Sequence, residues 1–292
     1  MVENGGKDKV FNCGVCAVAA AYAFVTLLPL LYIVASSFSA PDAVNTGRVG
    51  LWPVDFTLSN YARVFSDTAI LRGYLNTSLY TVAGSAITLI LQFTAAYPLS
   101  RRDLAGKKFW NLFFVVPMFV GGGMIPTYIV VKSLKMLNTF WAMIIPGCVG
   151  LFNVIVIRTY ISTAIPYEMQ EAAMIDGAGN LRLFLTIVLP LSRPILAVMT
   201  LYAAVGHWNA YFNSLIYITR DELFPLQRVL QRILVSSESN LIGGSLGDTE
   251  KTLAAESLKY AIIVAASAPI LLIYPFFQRF FEKGLMIGGL KG

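Results

Sequence analysis

Charge is scarce in this 292-residue sequence: Asp, Glu, Lys and Arg together make up 13%. Soluble domains carry roughly 25%, so water is not expected to be the main solvent of this chain. Histidine occurs once, as His207, and cysteine three times, at Cys13, Cys16 and Cys148. One histidine and scattered thiols offer neither a metal cluster nor a nucleophile–base pair, which argues against a membrane-embedded enzyme. The lone Cys13-x-x-Cys16 has no second C-x-x-C, and buried, inert thiols are expected rather than a redox pair or half a metal site. The net charge of +6 calls for no nucleic acid. Basic residues flank apolar segments, where they meet anionic lipid headgroups.

Apolar residues supply 57% of the chain, and the mean hydropathy is +0.67. Runs of roughly 20 apolar residues cross a hydrocarbon core of about 30 Å. Six such spans are predicted, at about 13–38, 73–99, 109–132, 138–163, 192–217 and 258–280. The expectation is an all-α polytopic membrane protein, with residues 1–292 forming a single transmembrane domain. The first run, from Cys13 to Ser37, is too long for a signal-peptide core and has no convincing Ala-x-Ala site after it, so it reads as an uncleaved membrane helix.

Arg101, Arg102, Lys107 and Lys108 crowd the connection between spans two and three, and Arg182 and Arg193 flank a later loop. Arg279, Lys283 and Lys291 follow the last span. The excess of basic residues puts these segments and both termini in the cytoplasm. Lys132 and Lys135 in the next loop count mildly against this, and the loop at about 218–257 is too long for the charge rule to weigh heavily.

Between spans one and two, the segment Ala40 to Arg72 mixes aromatic and polar residues, as an interfacial amphipathic helix would. Gly121-Gly122-Gly123 and Pro126 interrupt span three, which suits either a pathway-lining break or close helix packing. The Gly243 to Thr252 stretch superficially suggests a phosphate loop, but Glu250 stands where Gly must precede Lys-Ser/Thr, so no nucleotide site is expected.

The loop 164–191 carries the sharpest signal. Pro166 and Gly177 bracket a predicted short helix over about 166–176. On it Glu168, Glu171 and Ile175 share one side, and Met169, Ala172, Ala173 and Asp176 form the adjoining strip. Small side chains let another surface approach the backbone, and the carboxylates offer ion-pair partners at its rim. Leu181, Phe184, Leu185 and Val188 then form a predicted apolar helical stripe, and Pro190 and Pro194 bracket the turn into span five.

Glu171-Ala172-Ala173, Asp176-Gly177 and Ile187-Val188-Leu189-Pro190 resemble the coupling motif of membrane subunits of ATP-binding-cassette importers. Phe56 to Tyr61, Asn76 to Leu79, Ala96 to Arg101, Leu137 to Ala142 and Phe276 to Gly292 look like further landmarks of carbohydrate permeases of the maltose-transporter type. Met136 departs from that pattern, where Gly usually precedes Leu-Asn-Thr. The resemblance covers almost the whole chain. It implies a type I importer fold in a bacterial cytoplasmic membrane, a second homologous permease subunit, and two ATPase subunits that carry ATP and Mg. It also implies an extracytoplasmic solute-binding protein and no cofactor on this chain. Glu168, Glu171, Ala172, Ala173, Asp176 and Gly177 would couple to an ATPase, and the tail Lys291-Gly292 could reach between the ATPases.

Polar groups within spans are candidates for a translocation pathway. Asn209 and Asn213 are four apart on span five and are expected to share a face, with Trp208 and Tyr211 nearby; amides and aromatic faces suit a sugar. The resemblance supports Trp208 and Asn209 most. Asn76 and Gln92 are further candidates on span two. Interhelical hydrogen bonding is the competing reading for Asn209 and Asn213, and for His207 a satisfied packing role is expected rather than a proton-coupling site. The solute is expected to be an oligosaccharide, with an acidic, uronate-like one as the alternative. An ion-coupled secondary transporter would need buried charges, and the span interiors are almost free of them.

Overall fold

The structure, a computed structural model, describes residues 6–242 and 249–289. The start of the phosphate-loop lookalike, at 243–248, and the tail Lys291-Gly292 lie outside these residues. No strand occurs among the described residues. In chain order the helices are α1 Gly6–Ser37, α2 Pro41–Asn45, α3 Ser59–Ser66, α4 Thr68–Ser100, α5 Lys107–Phe119, α6 Met124–Ser133, α7 Phe140–Ile144, α8 Leu151–Ala164 and α9 Tyr167–Ile175. There follow α10 Asn180–Leu183, a π-helical turn Phe184–Val188, α11 Leu189–Leu191, α12 Arg193–Trp208, α13 Tyr211–Tyr217, α14 Leu226–Ile242 and α15 Thr249–Gly289.

Three helical segments are long and apolar enough to cross a membrane: Val10–Ser37, Thr68–Ser100 and Ser257–Gln278. They match expected spans one, two and six. The stretch expected as span three is a bent pair of helices, α5 and α6 meeting at 113°. Gly123 between them has φ +82°, a conformation that glycine adopts without steric cost. A Cβ on Gly123 would touch nothing within 4 Å, so its backbone rather than close packing within this chain accounts for that glycine. The expected continuous fourth span is divided. Pro146 and Gly147 (φ +80°) part α7 from α8, leaving Leu151–Ala164 as a short apolar helix. The loop expected at 218–257 contains all of α14 and the start of α15.

The described residues form two compact units, one built from the residues up to Leu71 with those of Leu230–Ala268, the other from Arg72–Val229 with those from Pro269 onward. In the first, the Phe56 to Tyr61 landmark is a fastening. Asn60 is fully buried, donates to the Ser39 carbonyl at 3.3 Å and accepts from Ser257 Oγ at 3.1 Å. Phe38 stacks on Phe56 (centroids 5.6 Å apart) and lies against Tyr61 at 5.0 Å. The expected amphipathic element is α3, which buries Val64 and exposes Phe65.

The second unit is organised around Phe93, Ala96 and Tyr97 of α4, Val154, Ile157 and Ile161 of α8, and Leu183, Phe184 and Val188. Lipid tails are as apolar as these side chains, so dispersion and shape fit hold them together rather than expulsion from water. The predicted stripe on 181–188 needs correction: Leu181 is 71% exposed and Leu185 50% exposed. The buried set is Leu183, Phe184 and Val188. The π turn widens the helical repeat to i, i+5, so Leu183 and Val188 share the face that an α-helix would have given to Leu181 and Leu185.

Candidate functional site

The predicted short helix is present as α9. Pro166 caps its start, and its end is closed by the Gly177 N–H donating to the Met174 carbonyl at 3.0 Å and the Ala178 N–H to Ala173 at 2.9 Å. That paired closure requires a left-handed residue after the helix, and Gly177 supplies it at φ +80°. On the inner side Gln170 is buried, while Ala173 and Met174 pack against the core of the second unit. Glu168, Met169, Glu171, Ala172, Ile175 and Asp176 are exposed, with Ile175 at 86%. The outer face therefore combines three carboxylates with two exposed apolar side chains, Met169 and the projecting Ile175, and one small residue.

Arg101 holds the helix from behind. Its guanidinium is bonded to both Asp103 oxygens, Nε to Oδ1 at 2.7 Å and a terminal nitrogen to Oδ2 at 2.6 Å, and also meets Tyr97 Oη and Met174 Sδ. The bond from Arg101 holds the Asp103 carboxyl below its ordinary range, and the same pairing raises Arg101 further above its own. Arg102 lies over the Tyr167 ring at 4.8 Å. Beyond α9, the segment Asn180–Leu191 and the helix Arg193–Trp208 meet at 82°. The Ile187 to Pro190 motif thus belongs to the packed segment that turns at Ser192 into α12, forming an elbow between the exposed helix and α12.

A second site is a cavity of about 360 Å³ in the same unit. Thr88 and Gln92 reach it from α4, Asn153 from α8, Tyr202 and His207 from α12, and Asn213 from α13. His207 is held by Thr88 at 3.2 Å and by a recess at Gly84, where a Cβ would come within 2.6–2.7 Å of the ring. Gln92 Nε2 donates to the Cys148 carbonyl at 3.4 Å. The lining contains no Asp, Glu, Lys or Arg. Pro146 to Cys148 and Gly150, from the α7–α8 break, and Ala210, from the α12–α13 break, also line it. Irregular backbone at membrane depth is tolerated where it borders a cavity or is buried in protein, so the two breaks and the cavity belong together physically.

Among the pathway candidates, Asn213 lines this cavity, as do His207 and Gln92. Asn76, Trp208, Asn209 and Tyr211 are not among its lining residues. Asn76 donates to the Glu222 and Phe224 carbonyls at 2.8 and 3.0 Å, tying α4 to the segment before α14. Trp208 is buried, with Tyr74 at 6.3 Å between ring centroids. Asn209 ends α12, donating to the Val205 carbonyl and accepting from Gln227 at 3.3 Å. Tyr211 begins α13, half-buried. The common face expected for Asn209 and Asn213 is broken because the helix itself stops between them. Thr88, Asn153 and Tyr202 were not anticipated; the Pro146-Gly147 pair inside an apolar run was the available signal for the Asn153 side.

The expected burial of the thiols holds for Cys148 alone: Cys13 and Cys16 lie on the exposed surface of α1, and all three are free. No group of His, Cys, Asp and Glu among the described residues could hold a metal ion.

The chain is similar along its whole length to protein LplC of Bacillus subtilis (strain 168), with 38% identity over 294 residues, covering 100% of this chain and 98% of that one. It is 35% identical over 291 residues to the polygalacturonan/rhamnogalacturonan transport system permease protein YtcP of the same organism, covering 98% of this chain and 100% of the relative. The fold matches a chain in the crystal structure of a bacterial ABC transporter involved in the import of the acidic polysaccharide alginate. The TM-score is 0.84 at 31% identity, over 95% of this chain and 98% of that chain. Residues 84–287 match the family of binding-protein-dependent transport system inner membrane components, and the chain belongs to that family.

Proposed function

We propose that this chain is the membrane-spanning permease subunit of an ATP-driven type I importer, with ATP and Mg bound and hydrolysed on partner ATPase subunits and not on this chain. Residues 1–292 serve as one permease with six crossings, the bent and divided helices making up spans three to five, and both termini face the cytoplasm. A second homologous permease subunit, two ATPases and an extracytoplasmic solute-binding protein complete the machine.

The observation that carries this reading is α9, a capped helix that exposes Ile175 beside Glu168, Glu171 and Asp176 while its other side is fixed to the core. An aliphatic side chain at 86% exposure, rimmed by carboxylates, suits insertion into a cleft on another protein. Residues 164–191 are the coupling loop: Glu168, Glu171, Ala172, Ala173, Asp176 and Gly177 dock or shape the helix, and the elbow transmits its rigid-body motion to α12.

The solute is a carbohydrate, read as an oligosaccharide. Amide, hydroxyl and imidazole groups around an uncharged cavity suit sugar hydroxyls, and the exposed Tyr202 ring offers a stacking face. Asn213 is the pathway candidate with the strongest geometric support; Asn76, Trp208, Asn209 and Tyr211 shape the helices around it. A second reading, an acidic oligosaccharide, draws on the relatives named for polygalacturonan and alginate. A cavity free of carboxylates would not repel uronates.

Pull-down of the tagged native chain in mild detergent, with partners identified by mass spectrometry, tests the assignment. Recovery of an ATPase and a sister permease is expected, with the ATPase lost from a Glu171→Lys, Gly177→Asp variant. A chain recovered alone, indifferent to those substitutions, would overturn it.

A further inference from the structure

Beside the start of α9 lies a second cleft, of about 430 Å³, that shares only Glu168 with the proposed coupling residues. It is bordered by the end of α4 at Ser100, the start of α5 at Lys107, the end of α8 from Arg158 and the start of α9. Arg102, Lys107 and Arg158 line it against one carboxylate, Glu168. None of the three cations forms an ion pair within 4 Å among the described residues. Arg158 and Lys107 are half-buried, and Lys107 lies within electrostatic reach of both arginines. Gln170 also lines the cleft, is 4% exposed, and its Oε1 has no hydrogen-bond partner. A half-turn of that amide exchanges its oxygen for two N–H donors.

Like charges gathered around one concavity repel each other, and an anion relieves that repulsion while satisfying the forked guanidinium donors. The cleft sits where α4 and α8 end and α5 begins, and basic residues at the ends of apolar helices meet lipid headgroups. Immediately after Lys107, α5 exposes Phe109 (63%), Leu112 (60%) and Phe113 (57%), an apolar and aromatic surface suited to acyl chains. We propose that Arg102, Lys107, Arg158 and Gln170 form a binding site for a phosphate-group anion at the base of the coupling helix. An anionic phospholipid headgroup and free inorganic phosphate share this chemistry. The site stands independently of which solute is carried and of how α9 docks.

The test uses the intact transporter complex, purified in mild detergent and stripped of lipid. Phosphatidylglycerol or phosphatidylcholine is added back and read by native mass spectrometry; in parallel, thermal stability is compared in phosphate and in chloride at matched ionic strength. Retained phosphatidylglycerol in preference to phosphatidylcholine is expected, weakened about tenfold by Arg158→Gln and weakened less by Arg158→Lys, which keeps the charge. Stabilisation by phosphate, abolished in Arg158→Gln but without lipid preference, would uphold the anion site and assign it to free phosphate. Equal retention of both lipids with no phosphate effect would overturn the proposal. So would loss of the ATPase from Arg158→Gln without any change in anion binding, because the cations would then serve an acidic partner surface.

Discussion

The Ala178 N–H reaches back to the Ala173 carbonyl at 2.9 Å because Gly177 between them turns left-handed, at φ +80°. A Cβ at Gly177 would meet nothing within 4 Å, so the need for glycine comes from the backbone alone. Gly177→Ala is therefore expected to cost about 1–2 kcal/mol locally and to fray the end of α9. Gly179, with φ −68° and equally open surroundings, should accept Ala with no comparable loss. Measuring ATP hydrolysis stimulated by solute-loaded binding protein for both variants checks this: Gly177→Ala impaired, Gly179→Ala near wild type.

Gly84 and His207 form the tightest fit at the cavity wall, with three ring atoms within 2.6–2.7 Å of where a Cβ would stand. Gly84→Ala should expel the imidazole and destabilise the protein by about 1–3 kcal/mol. His207→Ala empties the recess, so the double variant should be more stable than Gly84→Ala alone. Thermal unfolding of the four proteins in one detergent measures this coupling; strict additivity would contradict the packing account.

Asn138 works as a polar latch. It holds φ +58°, and its Oδ1 accepts from the Thr219 N–H at 2.6 Å, the Thr219 hydroxyl at 3.0 Å and the Arg220 N–H at 3.2 Å. Asn138→Ala loses both the acceptor and the tolerance for this backbone, and about 1–3 kcal/mol of stability is expected to go with them. Asn138→Asp, which keeps an acceptor and tolerates the conformation, should retain most of it. Paired thermal denaturation curves decide the matter.

Much of this was legible in the residues, and the gaps have physical causes. Spans one, two and six are uninterrupted apolar runs, so length alone identifies them. Hydropathy is blind to where a helix stops, so the Pro146-Gly147 break disappeared inside the fourth apolar run. No Pro or Gly marks the break between Asn209 and Tyr211, and a face argument that assumed one continuous helix failed there. The Leu181 to Val188 stripe erred for a related reason, because a π turn changes the repeat without changing the composition. The α9 helix was readable because both of its boundaries depend on particular residues, Pro166 and Gly177. The cavity lining was not, because it joins side chains of α4 and α8 to those of α12 and α13, far apart in sequence.

Asp103 gives a pH dependence of definite sign. Its bond from Arg101 lowers its folded pKa below the ordinary value of about 3.9. The stabilisation from that pairing is fully present above the ordinary value and fades as pH falls through the lower, folded one. Wild type should therefore be more stable than Asp103→Asn at neutral pH, with the gap closing in strongly acidic solution. Asp103 is 54% exposed, so the effect should be small. Thermal unfolding of both proteins across the acidic range reads it, and a gap that widened on acidification would contradict the assignment.

The most direct test of the coupling role is ATP-driven oligosaccharide uptake into proteoliposomes holding the complete transporter and its binding protein. Neutral and uronate oligosaccharides are offered in competition, with wild type beside Glu171→Lys. Wild type should accumulate one of them only with ATP and binding protein present, and Glu171→Lys should abolish uptake while the two permease subunits remain associated. Uptake that persists in Glu171→Lys, or that proceeds on an ion gradient without ATP, would contradict the account.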